Sequence, residues 1–386
     1  MSNPKQDILD EQLPIIGVSQ WVNNGFTGQN VNVWNMESNN SHGAKTRQVI
    51  LDVAPNANVI SAGVSALFDG DKILYYAVEY NGISYLGEQG VSDFIEEFEI
   101  DIVSASLTGY APHKHPQEFI DMWKRLQKKH NLIIFNAAGN EGDNDTHETI
   151  STKLPVEVAI CVGALGYIKY RNRPKVIDRQ GYSSVGEELD FSQLVLWFSG
   201  TSAATPCLAG QAALMVGRYG QMHYQEMYKY LKMISDDLGE AGDDVYYGWG
   251  QPILPEPHKK YITMTTKSND YYVNGVKHQM DTKPVNINGN VFVPVRVISE
   301  TLGATVNAQF NKDKTIKVLI DRGNNHIELN TEDTLAYING KKYYLNEAPF
   351  IDENNRTLVP IRFIAESLGC MVDWVQPVAK VMILEK

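Results

Sequence analysis

The chain predicts an α/β domain built on a mostly parallel sheet with helices on both faces, followed by a small α+β domain made of two repeats. Three observations carry this. Short, strongly apolar runs such as Leu132-Ile-Ile-Phe135 alternate with helical stretches through about residue 260, the pattern of strands covered on both faces. From about residue 264 the chain becomes strands separated by Asn-Gly turns and then repeats itself. At 386 residues it also exceeds what one hydrophobic core usually serves. The expected boundaries are therefore 1–260 and 264–386.

Taken in order, residues 1–30 read as a polar arm with a short helix and a turn between Trp21 and Gly28. Val31 to Trp34 alternates as a strand that ends in Asn35-Met-Glu37. After the polar turn Ser38-Asn-Asn-Ser41, His42 begins a helix with Ser41 as its cap. A strand over Val59 to Val64 is followed by helices over Asp71 to Tyr80 and Val91 to Phe98. Ile100 to Ser106 is a strand running into Leu107-Thr-Gly109, and Phe119, Trp123 and Leu126 fall at helical spacing. Val156 to Val162 is another buried strand. Gly200 and Thr201 lead into Ser202, and Pro206 opens a small, apolar helical run to Leu214. A helix over 223–238 and a turn-rich closure through Gly250 complete the domain.

The repeat is explicit. Phe292-Val-Pro-Val-Arg-Val-Ile-Ser-Glu-Thr-Leu-Gly303 returns as Leu358-Val-Pro-Ile-Arg-Phe-Ile-Ala-Glu-Ser-Leu-Gly369, and Val273-Asn-Gly275 returns as Ile338-Asn-Gly340. Each unit reads as a hairpin, a strand closed by proline, a short helix and a strand pair. Two copies are few for a solenoid, so they are expected to pack on each other.

Composition excludes several classes. A formal net charge of -12 argues against nucleic acid and anionic membranes as partners. The start has no basic segment leading into an apolar core, so no signal peptide is expected. Cys161, Cys207 and Cys370 are scattered and odd in number, which suggests neither a disulfide framework nor a thiolate metal site.

Three polar residues fall where a parallel-sheet enzyme places its chemistry, beyond the carboxyl ends of strands: His42, Asn140 and Ser202. For acyl transfer a serine needs a base to remove its proton, and the tetrahedral intermediate needs a donor aimed at its oxyanion. His42 suits the first role, and the Asn140 amide with the Ser202 N–H suits the second.

On these segments the first 260 or so residues resemble the subtilisin-like serine proteases, the subtilase family. Asn40-Ser-His-Gly43 resembles the family's histidine motif, Ala137-Ala-Gly-Asn-Glu-Gly142 its oxyanion-asparagine motif, and Gly200-Thr-Ser-Ala-Ala-Thr-Pro206 its nucleophile motif. Val53-Ala-Pro-Asn-Ala57 and Tyr247-Gly-Trp-Gly250 resemble further family segments. Ser104-Ala-Ser-Leu107, with Thr108, resembles the strand that pairs with bound peptide, which implies a polypeptide substrate and a subtilisin-like fold. The resemblance also departs from the pattern. Asn35 stands where the family has its catalytic aspartate, the connection to His42 is short, and Lys45 stands where a second histidine is common. Three readings stay open: Glu37 supports His42, Asn35 alone orients it, or the carboxylate comes from elsewhere or is missing. An inactive pseudo-protease acting as a binding body is the alternative to an endopeptidase.

No cofactor is required by this chemistry. Asp143, Asp145 and His147 form an acidic loop that would hold structural calcium by family habit, against the simpler reading of a solvated loop. His113 and His115 lack a third ligand at matching spacing and read as exposed. The repeated domain resembles the copper amine oxidase N-terminal-like domain, whose signature is the Val-Pro-x-Arg-x-Ile-x-Glu-x-Leu-Gly run; the name implies no copper. Arg296, Glu300, Arg362 and Glu366 are read as structural i,i+4 pairs. Such a module would contact a cell surface or a second copy, which hints at an extracellular role, whereas the missing leader points to the cytoplasm or to release by lysis.

Overall fold

The computed structural model describes residues 3–70, 72–107, 115–169 and 175–386. The chain divides into two compact units, Met1–Pro257 and His258–Lys386.

In the first unit two helices, α1 (Pro4–Ile15) and α2 (Val18–Asn23), precede β1 (Asn32–Asn35), α3 (Ser41–Val53) and β2 (Asn58–Ser61). Next come β3 (Gly63–Asp69), β4 (Lys72–Tyr80), β5 (Ile83–Leu86) and α4 (Gly87–Glu97). They lead to β6 (Ile102–Ala105), α5 (Gln117–His130), β7 (Ile133–Ala137), β8 (Ile160–Lys169), β9 (Lys175–Arg179) and β10 (Phe191–Leu194). Helices α6 (Thr201–Tyr219) and α7 (Tyr224–Met233), and the two-residue strands β11 (Ser235–Asp236) and β12 (Gln251–Pro252), finish the unit.

The central sheet runs β10-β8-β7-β6-β1-β2, all parallel, with β9 antiparallel on β8. Strand alternation sorts its two faces. Trp34 of β1 points to a fully buried aromatic cluster with Phe94 of α4 and Trp123 of α5, at centroid distances of 5.0 and 6.3 Å. Its neighbour Asn35 points to the opposite face, onto α3. The small residues of α6 let α3 lie against it: a Cβ on Gly210 would meet Val53 Cβ at 2.7 Å.

Several expected elements differ: the strand expected over Val156 to Val162 begins only at Ile160, and the one expected over Val59 to Val64 is split between β2 and β3. The segment expected as a helix over Asp71 to Tyr80 is strand β4 from Lys72 onward, the centre of a three-stranded antiparallel sheet β3-β4-β5; Asp71 itself lies outside the described residues. Its run of isoleucine, tyrosine and valine favours a pleated surface. Asn81 and Gly82, with φ of 49° and 81°, form the left-handed turn that a two-residue hairpin needs. The cap of α3 is Asn40 rather than Ser41: its Oδ1 accepts from the Gly43 N–H at 2.8 Å.

The second unit contains β13 (Tyr261–Thr265), β14 (Asp270–Val273), β15 (Val276–Gln279), β16 (Val285–Ile287), β17 (Asn290–Pro294), α8 (Val295–Thr301), β18 (Thr305–Phe310) and β19 (Ile316–Arg322). The second repeat supplies β20 (Asn325–Asn330), β21 (Leu335–Ile338), β22 (Lys341–Tyr344), β23 (Phe350–Ile351), β24 (Thr357–Pro360), α9 (Ile361–Ser367), β25 (Cys370–Val375) and β26 (Lys380–Glu385). The repeats are intertwined. One five-stranded sheet, β15-β14-β13-β26-β25, joins the first three strands of repeat one to the last two of repeat two, and β18-β19-β20-β21-β22 does the converse. Strands β17 and β24 pair between repeats in a third sheet. Neither repeat holds its own core alone. The expected i,i+4 pairs form, Arg296 to Glu300 at 3.0 Å and Arg362 to Glu366 at 3.1 Å.

Candidate active site

The end of β1 departs from strand alternation. The Glu37 N–H donates to Asn35 O at 2.7 Å, so the chain turns back on itself within two residues. This turn carries the Glu37 side chain to the start of α3, where its Oε2 lies 3.3 Å from His42 Nδ1. Glu37 is 2% exposed and His42 40% exposed. The Glu37 carboxylate holds the imidazole pKa above its ordinary value, against the opposing effects of partial burial and of Lys45. Close approach depends on Gly43: a Cβ there would lie 2.0 Å from Ser38 O and 3.0 Å from Glu37 Cβ.

Asn35 is placed differently from what its position in the motif implies. It is fully buried, its Nδ2 donates to Gly43 O and Ser61 Oγ, both at 3.1 Å, and its Oδ1 accepts from Thr46 Oγ1 at 3.0 Å. Every polar atom of its amide is engaged, and none on His42. The reading in which Asn35 alone orients the imidazole is therefore corrected: an aspartate at this site would face the Gly43 carbonyl, whereas the amide donates to it.

Ser202 is the second residue of α6, 8% exposed, and its Oγ donates to Ser106 O at 2.8 Å. Gly200, with φ of 105°, makes the turn into the helix, and its N–H donates to Tyr182 Oη at 2.9 Å. The Asn140 Oδ1 accepts from the Thr201 N–H at 2.9 Å. That bond fixes the amide beside the helix start and leaves its Nδ2 without an acceptor among the described residues. The neighbouring Glu141 Oε2 accepts from Ser151 Oγ and Ser184 Oγ at 2.8 and 2.7 Å, bracing the turn. The His42 ring lies 6.4 Å from that of Phe198, four residues before Ser202 in the chain.

The sequence profile of the subtilase family matches residues 33–250. The chain belongs to the subtilase family. The copper amine oxidase N-terminal domain matches residues 241–316 and 308–383. Subtilisin DY of Bacillus licheniformis is 26% identical over 213 residues, 52% of this chain and 68% of that protein. Subtilisin E of Bacillus subtilis (strain 168) is 27% identical over 213 residues, 52% of this chain and 49% of that one. An extracellular serine protease of Serratia marcescens is 30% identical over 154 residues, 37% of this chain and 14% of that protein. This subtilase thus spans about half, or less, of the length of several relatives it matches. Among solved structures, a lanthipeptide protease aligns with a TM-score of 0.45 at 18% identity, over 64% of this chain and 92% of that one. Sphericase aligns with a TM-score of 0.44 at 18% identity, over 59% and 93%.

Of the segment expected to bind peptide in this subtilase, Ser104 and Ser106 are buried with hydroxyls that have no hydrogen-bond partner among the described residues, and Leu107 is half-buried; Thr108 lies outside those residues. His113 also lies outside them. His115 is half-buried rather than exposed: burial lowers its pKa, and its ring packs 5.5 Å from Phe119. Among the described residues no group of three or more His, Cys, Asp or Glu is placed to hold a metal ion. Asp143 binds His147 at 2.8 Å, and Asn144 Oδ1 accepts from Thr146. As arranged, the loop considered for calcium is an internally bonded turn, which does not fit a cation needing six or more free oxygens.

Residues absent from the sequence reading also shape the site. Thr46 and Ser61 hold Asn35, Tyr182 anchors Gly200, and Ser151 with Ser184 braces Glu141. Only the spacing of Thr46 within the α3 face offered any signal.

Proposed function

We propose that this subtilase is a serine endopeptidase whose imidazole is supported by Glu37 in place of the aspartate at the Asn35 position. The observation that carries the reading is the Glu37 Oε2 to His42 Nδ1 contact at 3.3 Å, made by a carboxylate with almost no exposure. Ser202 Oγ attacks the scissile carbonyl as His42 takes its proton. The Asn140 Nδ2 and the Ser202 N–H, one of the unpaired donors of the helix start, meet the oxyanion. His42 then returns the proton to the leaving amine, and water repeats the sequence on the acyl-enzyme. Glu37 holds the imidazole in the tautomer that accepts at the far nitrogen and stabilises the imidazolium. Ser104, Ser106 and Leu107 border the path of the bound peptide. Labelling of the intact protein by a fluorophosphonate probe tests the reading; it requires labelling that disappears in Ser202→Ala.

A second reading, a pseudo-protease that keeps the fold as a binding body, draws on one contact. The Ser202 hydroxyl donates to Ser106 O at 2.8 Å, a bond that must be exchanged for one to the imidazole before proton transfer. Turnover of a peptide library that Ser202→Ala abolishes would exclude it.

A further inference from the structure

We infer that the C-terminal unit binds a β-linked oligosaccharide, one sugar ring seated on Trp374. The repeat creates two equivalent hollows. One lies over the start of α9, lined by Pro360, Arg362, Trp374 and Gln376, with Asn286 and Asn290 contributed by the other repeat, and has a volume of about 240 Å³. The other lies over the start of α8, lined by Pro294, Arg296, Ala308 and Phe310, with Asn355 and Arg356 from across, and has a volume of about 450 Å³. The offset that superposes Phe292 on Leu358, 358 − 292 = 66, also superposes Ala308 on Trp374, Phe310 on Gln376 and Asn290 on Arg356.

The frame is common to both hollows and the lining is not. In the α8 hollow alanine replaces the indole, and Arg356 is closed onto Asp281 at 2.6 Å. The α9 hollow instead collects an aromatic ring, three carboxamides, a guanidinium and the Asp373 carboxylate. Arg362 Nη1 is fixed by Glu366 at 3.1 Å and by Val372 O at 2.7 Å, which leaves its Nε and Nη2 donors without an acceptor among the described residues. The Trp374 Nε1–H donates to Gln376 Oε1 at 2.6 Å, so the ring is held in place before any ligand arrives.

A pyranose with equatorial hydroxyls matches this equipment. Its C–H face covers an aromatic ring, and its rim of hydroxyls both donates and accepts, as carboxamides do. A hollow of about 240 Å³ is below the ~300–1,000 Å³ that enclose a drug-sized ligand, so a single ring is held while the chain continues into solvent. Polyproline segments dock in aromatic-lined grooves, and here one aromatic ring serves the hollow.

The test titrates the full-length protein with cellohexaose and, separately, chitohexaose, following the tryptophan indole resonances by NMR. Trp374 is the single tryptophan of its unit, so its signal is assigned with Trp374→Phe. The expected result is a saturable shift of that signal with one of the two sugars, and at least a fivefold weaker affinity in Asn290→Ala with an unchanged melting temperature. A Trp374 signal unmoved by both sugars at millimolar concentration overturns the inference. So does a shift produced only by a proline-rich peptide, or an affinity that Asn290→Ala leaves untouched.

Discussion

Replacing Glu37 by glutamine removes the one carboxylate that, among the described residues, touches His42, and leaves the volume of the site nearly unchanged. At 3.3 Å, full charges interact by about 1 kcal/mol at the permittivity of water and about 5 kcal/mol at an effective value of 20. The 40% exposure of His42 moves the figure down from the upper limit and the burial of Glu37 moves it up from the lower. About 3 kcal/mol is the working value, roughly a hundredfold in kcat/KM. The pH profile gives an independent reading. Since Glu37 raises the His42 pKa, the acid limb of kcat/KM moves to lower pH in Glu37→Gln. The assay is steady-state cleavage of a fluorogenic peptide from pH 5 to 9, with the rate of phosphonate labelling as a check on Ser202. A Glu37→Gln protein with the parental rate and the parental acid limb refutes the reasoning.

Gly43→Ala is expected to lose most activity, because its methyl group would lie 2.0 Å from Ser38 O and displace the turn that aims Glu37; the check is the rate of peptide cleavage at a temperature where circular dichroism shows the variant still folded. Asn35→Asp, which restores the family residue, is expected to raise no rate and to lower stability by about 1–3 kcal/mol in denaturant unfolding, since it removes the donor to Gly43 O and Ser61 Oγ. Asp190 gives a pH dependence of stability. Burial, opposed by the Cys161 N–H, pushes its carboxyl up to about 7. The unfolded chain releases this proton near pH 4 and the folded one near 7, so stability falls as pH rises between them, by about 4 kcal/mol at most. Asp190→Asn should flatten that slope in urea melts and gain stability at pH 8.

How much was legible in advance differs by element. The Ser202 helix and the Asn140 turn could be read because they are built from local signals: glycine at positive φ before the helix, small residues along it, and an amide next to a turn. The β3-β4-β5 sheet was misread because a short run of mixed apolar residues fits either period until its partners are known. The Asn40 cap was missed by one residue, a shift that adjacent polar residues do not resolve.

The family, the two-part division, the repeat and the places of His42, Asn140 and Ser202 at three element ends are each written in contiguous residues. Which of Asn35 and Glu37 lies against His42 is visible only in three dimensions. Asn35 ends β1 and Glu37 comes two residues later, so alternation alone puts them on the same side. What separates them is a backbone turn at Glu37, and a helix start that Gly43 allows to come close enough for one carboxylate to reach the imidazole. The intertwining of the repeats is likewise a pairing of strands from distant parts of the chain, and no local pattern specifies which repeat a strand will join.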